Sequence, residues 1–186
     1  MSIPLVVCLA EWSLFILYWD ASAKNSSAAK VSESRKSRRV HELLLNTALL
    51  LAIIPVPGLR QRFLPDASAV VWAGLVLQSG ALALGVWARR VLGRHWSGEI
   101  TIKVDHELIR SGPYRSVRHP IYTAWLGMFA ATAIVYGQAH ALLGFAMAAF
   151  AYWRKIRLEE ANLRNAFGEE YDAYRRETWA LVPWVL

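Results

Sequence analysis

The sequence is poor in the residue types that build disulfide, metal and phosphate sites. It has a single cysteine, Cys8, among 186 residues, which excludes an intrachain disulfide and a thiolate metal centre. Its five histidines lack the spacing of metal ligands, so no metal site is predicted. Gly74, Gly80 and Gly85 lie in a long apolar run with no strand before it, which argues against a dinucleotide-binding loop. Charged residues make up 19% of the chain, below the roughly one quarter of a soluble domain.

Apolar residues instead occur in five long blocks. A membrane-spanning helix takes roughly 20 mostly apolar residues, with a lower limit near 17. The blocks are residues 3–19, 43–59, 68–88, 121–136 and 139–153, and we expect the two short last ones to form a tight hairpin around Gly137 and Gln138. The alternative for this pair is a set of buried helices in a soluble core. The sequence therefore predicts an all-α, multi-pass membrane bundle of about five transmembrane helices.

Basic residues predict the orientation of this bundle. Nineteen of the 21 lysines and arginines fall in alternate connections, and such loops stay cytoplasmic. This places the N-terminus outside and the C-terminus inside, with the first block a retained span rather than a signal peptide. The net charge of +7 is thereby explained without a nucleic acid partner. Residues 20–41 form a basic cytosolic linker, which we expect to be mobile or to lie on the surface.

The second half of the chain carries the polar residues of interest. Gly112 and Pro113 predict a turn, and residues 100–104 alternate as a non-helical stretch. Pro120 suits the first turn of a helix, which places His119 at the membrane–cytosol boundary. The aromatic tail, with Tyr171, Tyr174, Trp179 and Trp184, is expected to pack back along the membrane and close a cavity.

Three further charged residues leave alternatives open. The last apolar block continues as a helix until Gly168, so Lys155 and Glu159, four residues apart, share a face that points either to the cytosol or into a pocket. Glu11 lies at membrane depth, where an ionisable group is either functional or hydrogen-bonded to a neighbouring helix.

These motifs resemble the isoprenylcysteine carboxyl methyltransferase family. The resemblance begins at Gly93 and runs to the C-terminus, and phospholipid N-methyltransferases and the C-terminal part of sterol reductases share a looser form of it. The matching residues are Leu108-Ile109-Arg110-Ser111-Gly112-Pro113-Tyr114, Arg118-His119-Pro120-Ile121-Tyr122, Glu159-Glu160, Leu163, Phe167-Gly168-Glu169-Glu170-Tyr171, Tyr174 and Pro183. Residues 1–92 then form an N-terminal part with three spans, and residues 93–186 a catalytic half containing the hairpin 120–153.

The resemblance implies an S-adenosylmethionine-dependent enzyme within the membrane, with a cytosolic cofactor pocket and a lipid-like or prenylated methyl acceptor. The family's cofactor residues correspond here to His106, Glu107, Leu108, Ile109, Tyr114, His119, Pro120, Ile121, Tyr122 and Glu159. Lys155 stands where the family has an arginine on the acceptor side, so it is the candidate catalytic residue. Because lysine lacks the two-pronged grip of arginine, this departure concerns the acceptor more than the cofactor.

Three other functions compete with carboxyl methylation. An amine acceptor would have to lose a proton, for which Glu159 or Glu160 would be the base. A nicotinamide-dependent reductase of the sterol type is the second, although those relatives are much longer. The third is a membrane interaction protein that keeps the fold without the cofactor, since fold alone does not fix function.

Overall fold

The computed structural model describes residues 2–23, 29–32, 34–93, 101–103 and 108–184. Within these ranges the chain is mainly helical, as predicted, with one small antiparallel pair of strands in addition. The elements are α1 (Ile3–Ala23), β1 (Ala29–Ser32), α2 (Arg35–Ile53), α3 (Ser68–Leu92), β2 (Thr101–Lys103), a 3-10 helix (Gly112–Arg115), α4 (Pro120–Tyr136), α5 (Ala139–Phe167) and α6 (Glu169–Glu177).

The basic segment after α1 is more ordered than a linker. We expected residues 20–41 to form a linker that is mobile or lies on the surface. Within them α1 continues to Ala23, β1 pairs with β2, and α2 begins at Arg35. Ser34 caps α2 by accepting a hydrogen bond from the Ser37 amide at 3.3 Å. Arginine and lysine are good helix formers, so this turn is helical without any apolar periodicity. Regular structure therefore extends into this segment from both of its ends, and residues 34–36 and 38–40 are exposed, as in a segment that lies on the surface.

The remaining helix boundaries follow local sequence signals. α2 ends at Ile53, just before Pro55 and Pro57, which cannot continue a helix. α4 begins at Pro120 and is joined to α5 by Gly137, whose φ of 61° is the left-handed conformation that favours glycine. α5 runs without a break to Phe167, as predicted, and Gly168 follows it.

Small residues set the spacing between the helices. α4 packs on α3, and α2 packs on α5. At the second contact, a Cβ added to Gly144 would come within 2.6 Å of the Ala48 carbonyl oxygen and 2.8 Å of the Ala52 nitrogen. Close backbone approach of this kind is typical of helix pairs in membranes. α1 packs on α3 and α4 and makes few close contacts with α2.

The outer faces of these helices are strongly apolar. Two of the described helical segments, Ile3–Ser22 and Ser68–Leu92, are long and apolar enough to cross a membrane, and Pro120–Tyr136 is a shorter apolar helix. Large apolar side chains are exposed on α1, α2, α3 and α5; they include Leu14, Leu17, Leu43, Leu50, Trp72, Val76, Phe150 and Trp153. Contiguous apolar surface of this extent marks a face that contacts lipid or protein.

Polar side chains join neighbouring helices, both inside the bundle and on its surface. The Trp12 indole N–H donates to Thr132 Oγ1 at 2.8 Å, and the Gln78 amide donates to the Cys8 carbonyl at 2.8 Å. Ser79 of α3 donates to Glu11 at 2.5 Å, so Glu11 is hydrogen-bonded to a neighbouring helix, one of the two alternatives for this residue.

Candidate functional site

The start of α4 is fixed by the end of the chain. Residues 116–119 pair in parallel with residues 179–180: the amides of Arg118 and His119 donate to the carbonyls of Trp179 and Ala180 at 2.8 and 3.0 Å. The Thr123 hydroxyl donates to the Leu181 carbonyl at 2.7 Å. The aromatic tail thus packs back onto the chain and holds His119 at the N-terminus of α4. That it lies along the membrane and closes a cavity stays a prediction.

Glu160 of α5 is the centre of a charged network around that helix start. Its Oε1 accepts from Arg118 Nε at 2.9 Å and from His119 Nε2 at 3.2 Å, and Arg175 Nε lies 3.5 Å from Oε2. Burial alone would raise the pKa of Glu160, but the hydrogen bonds from His119 and Arg118 lower it to about 2. Arg118 also donates to the Thr178 carbonyl. The network therefore ties α4, α5 and the segment after α6 together.

Glu159, the neighbouring carboxylate, faces the other side of His119. Tyr122 donates its hydroxyl hydrogen to Glu159 Oε2 at 2.6 Å, and His119 Nδ1 lies 3.8 Å from the same oxygen. The rings of His119 and Tyr122 are stacked, 5.4 Å apart and 7° from parallel. Because the ionised Glu160 can only accept, His119 donates through Nε2, and in the neutral ring Nδ1 is left as an acceptor. The carboxylate of Glu159 is partly exposed, at 30%, and so accessible to a ligand.

Tyr114 lies behind this cluster. It is buried in the 3-10 helix, and its carbonyl accepts from the Tyr174 hydroxyl at 2.6 Å. Burial, and then the charge of Glu159, raise the pKa of Tyr114, which keeps its hydroxyl neutral. Among the described residues, nothing hydrogen-bonds that hydroxyl oxygen. Ile109 and Ile121 pack around Tyr114.

The predicted cofactor residues fall into three groups. Tyr114, His119, Pro120, Ile121, Tyr122 and Glu159 come together at the start of α4 and the middle of α5. Leu108 and Ile109 lie half-buried on the approach to the 3-10 helix. His106 and Glu107 lie outside the described residues.

A cavity of about 310 Å³ adjoins this cluster. Its walls come from α1, α2, α4 and α5, and Tyr122 and Lys155 belong to them. Lys155 is only 8% exposed, with Nζ 5.8 Å from the centre of the Tyr122 ring. Of the two directions that the sequence left open for the face shared by Lys155 and Glu159, the structure thus favours the pocket.

His41 of α2 also lines the cavity, beside Lys155. Its ring meets that of Tyr152 edge-on at 5.5 Å. Burial, and then the charges of Lys155 and Arg154, lower the pKa of His41 to about 3, so the ring stays neutral in the physiological range.

Sequence reasoning missed two parts of this site. Glu160 was considered only as a base for an amine, yet it is the most heavily hydrogen-bonded carboxylate of the cluster among the described residues. The α2 wall was also missed: His41 was assigned to the linker 20–41, and Leu45 and Leu49 were predicted only as part of a span. A signal for it exists, since His41, Leu45 and Leu49 recur every four residues and share one helical face.

The fold and the site define a class of protein: a helical bundle of the membrane type, with a buried charged cluster at one end next to an apolar cavity. Residues 72–165, half of the chain, match the family model "Isoprenylcysteine carboxyl methyltransferase (ICMT) family". The chain belongs to this family. Family membership and the apolar helices together identify a membrane protein.

Three relatives illustrate the extent of the similarity. A protein-S-isoprenylcysteine O-methyltransferase of Dictyostelium discoideum is 30% identical over 42% of this chain and 34% of its own length. A probable one of Oryza sativa subsp. indica is 29% identical over 62% of each chain. Protein-S-isoprenylcysteine O-methyltransferase B of Arabidopsis thaliana is 24% identical over 95% of this chain and 87% of its own. The chain thus spans less than two thirds of the first two of these relatives.

Proposed function

We propose that this protein transfers a methyl group from S-adenosylmethionine to the carboxylate of a lipid-linked acceptor of the isoprenylcysteine type. One observation carries the proposal. Lys155, a buried cation, lines an apolar cavity one helical turn before Glu159, whose carboxylate accepts a hydrogen bond from Tyr122, another residue of the cavity wall. A cation for the acceptor and an anion for the methyl donor are thus a single turn of α5 apart.

The residues present fit S-adenosylmethionine. The partly exposed Glu159 offers a carboxylate to its ammonium or ribose, and Tyr122 offers an aromatic face near its cationic centre. The buried Tyr114 hydroxyl is a further polar group without a described partner. The set of residues we propose for the cofactor is His106, Glu107, Leu108, Ile109, Tyr114, His119, Pro120, Ile121, Tyr122 and Glu159.

When bound, the cofactor supplies an electrophilic methyl group, which passes to a carboxylate oxygen as the C–O bond forms and the sulfonium C–S bond breaks, with no proton gained or lost. The protein's part is alignment and exclusion of water. Lys155 holds the acceptor carboxylate as a point charge. Glu160 and the paired tail fix His119, and Glu159 stays oriented by the Tyr122 hydroxyl.

This arrangement supports methyl transfer to a carboxylate oxygen rather than to an amine nitrogen. Methylation of an amine needs a base to take up its proton. Glu160, with a pKa of about 2 and bonds to Arg118 and His119, is a poor base. Glu159 already accepts from Tyr122. A carboxylate acceptor needs no base at all.

We also propose a membrane topology of five spans, with the N-terminus outside and the site on the cytosolic side. α2 and α5 would be the spans beyond the three apolar helices, since both carry exposed leucine, phenylalanine or tryptophan along their outer faces. The basic connections would face the cytosol.

The test is binding of S-adenosylhomocysteine to the detergent-purified protein by calorimetry, followed by transfer of labelled methyl to N-acetyl-S-farnesyl-cysteine. We expect Glu159→Gln to weaken binding at least tenfold, whereas the exposed Glu177→Gln binds normally. Lys155→Met should bind S-adenosylhomocysteine normally and transfer methyl at least tenfold more slowly, and the exposed Arg157→Met should match the wild type. Unchanged binding in Glu159→Gln, or normal transfer in Lys155→Met, would refute the role given to that residue.

A further inference from the structure

The cavity beside Lys155 has a defined length along the helices. On α2 its lining residues run from His41 to Leu49, and on α4 from Ile121 to Phe129. Each interval is eight residues, which at 1.5 Å per residue is about 12 Å. Two helices on different sides of the cavity therefore give the same depth.

The two ends of the cavity differ in chemistry. Lys155, His41 and Tyr152 lie at one end, near the proposed methyl donor. Leu49, Ile16 and Phe129 line the other end. The polar residues Glu42 and Asn46 lie on α2 between the two ends, and the Glu42 carboxylate is paired with Arg38 at 2.7 Å. A ligand that fits both ends has an anionic head and a hydrocarbon chain. The cavity lies between α1 and α2, two helices that make few close contacts with each other, and such a chain would enter between them.

The apolar end is closed by an aromatic side chain that is held in place. Phe129 is 1% exposed, and its ring meets that of Trp12 edge-on at 5.0 Å. Trp12 is 2% exposed, and its N–H is bound to Thr132 Oγ1 at 2.8 Å. Trp12 is thus held by packing and by a buried hydrogen bond, and Phe129, packed against it in the core, has no free space to move into. Phe129 is therefore a rigid end wall.

We propose that Phe129 sets the length of the acceptor's hydrocarbon chain. The site takes one chain that reaches about 12 Å along the helices, shorter than one leaflet of a bilayer, which is roughly half of a 30 Å hydrocarbon core. The volume of about 310 Å³ suits a single chain better than the two chains of a phospholipid. The inference rests on the proposed function for the identity of the head group, and it adds a determinant of chain length.

The experiment measures dissociation constants of N-acetyl-S-geranyl-, S-farnesyl- and S-geranylgeranyl-cysteine for the protein in nanodiscs. We expect wild-type affinity to rise from geranyl to farnesyl and then to level off or fall. In Phe129→Ala the geranylgeranyl compound should bind at least about tenfold tighter than the farnesyl compound, because another isoprene unit becomes buried. Phe150→Ala, which removes an aromatic ring from the exposed outer face of α5, should keep the wild-type order.

A second variant covers the case in which Phe129→Ala does not fold. Leu49→Trp fills the apolar end from α2 and should move the optimum down to geranyl. An affinity that rises steadily to geranylgeranyl in the wild type, or the same order of chains in all variants, would overturn the inference.

Methyl transfer measured in parallel separates the two proposals. If affinity stops rising beyond the farnesyl compound but no methyl group is transferred from S-adenosylmethionine, the end wall is supported and the proposed reaction is refuted. If methyl is transferred but affinity rises steadily to the geranylgeranyl compound, the proposed reaction is supported and the end wall is refuted.

Discussion

The two ends of the bundle are held together by different interactions. At the end of the bundle that includes Gly144, helices meet through glycine and alanine, and neutral polar groups such as Gln78 and Thr132 are buried between them. At the other end, α4, α5 and the tail are joined by Arg118, His119 and Glu160, which share one network of hydrogen bonds and charge. The first end is held together by the close packing of small side chains, and the second by hydrogen bonds and ion pairs.

This difference matches what each region is proposed to do. A close-packed end gives a cavity rigid walls, since packed interiors resist small changes in volume. A charged end holds polar ligands through groups that are already oriented by one another. The boundary between the two runs through the cavity, from Phe129 to Lys155. Substitutions at the close-packed end and at the charged end should therefore change the stability of the protein by different amounts.

The largest expected effect comes from breaking the charged network. Glu160→Ala leaves Arg118 and His119 without their shared acceptor in a half-buried site, and we expect a loss of about 3 kcal/mol in the free energy of unfolding. Glu42→Ala removes an exposed partner of Arg38 and should cost no more than about 0.5 kcal/mol. Thermal unfolding in detergent measures both, and equal losses would contradict the comparison.

A smaller effect is expected from one methyl group at the close-packed end. In Gly144→Ala the added carbon meets backbone atoms of Ala48 and Ala52, which can only move with α2, so we expect a loss of about 2 kcal/mol. Gly80→Ala, in α3, meets nothing within 4 Å and should be neutral or slightly stabilising. Similar midpoints for the two variants would show that α2 yields easily and that the end is not rigid.

The smallest effect is a change in pH dependence caused by His41 at the boundary. Because its pKa is about 3 in the folded protein and about 6.5 when unfolded, the unfolded chain binds the extra proton between these values. Its contribution to stability is therefore complete above pH 6.5 and is lost as the pH falls towards 3. We expect His41→Phe to flatten the decline in stability between pH 6.5 and 5.5 by about 1 kcal/mol. Unfolding scans at those two pH values check this, and an unchanged slope would place the acid sensitivity elsewhere.

Much of the helical framework could be predicted because its signals are local. The hairpin around Gly137, the start of α4 at Pro120 and the end of α5 at Phe167 each depend on one glycine or proline and its neighbours. The start of α2 could not be predicted from apolar periodicity, because a Ser34 cap and basic helix formers decide it. The roles assigned to Lys155 and to the cofactor residues remain predictions.

The sequence by itself determined the apolar helices, their order and the membership of the family, because hydrophobic length and motif spacing are properties of the chain. Only the tertiary structure decided which charges face inward. Glu159 and Glu160 are adjacent in sequence, yet one turns to Tyr122 and the other to Arg118, and His41 reaches Lys155 across 114 residues of chain. Burial and the pairing of distant groups depend on how helices pack, and no local pattern encodes that.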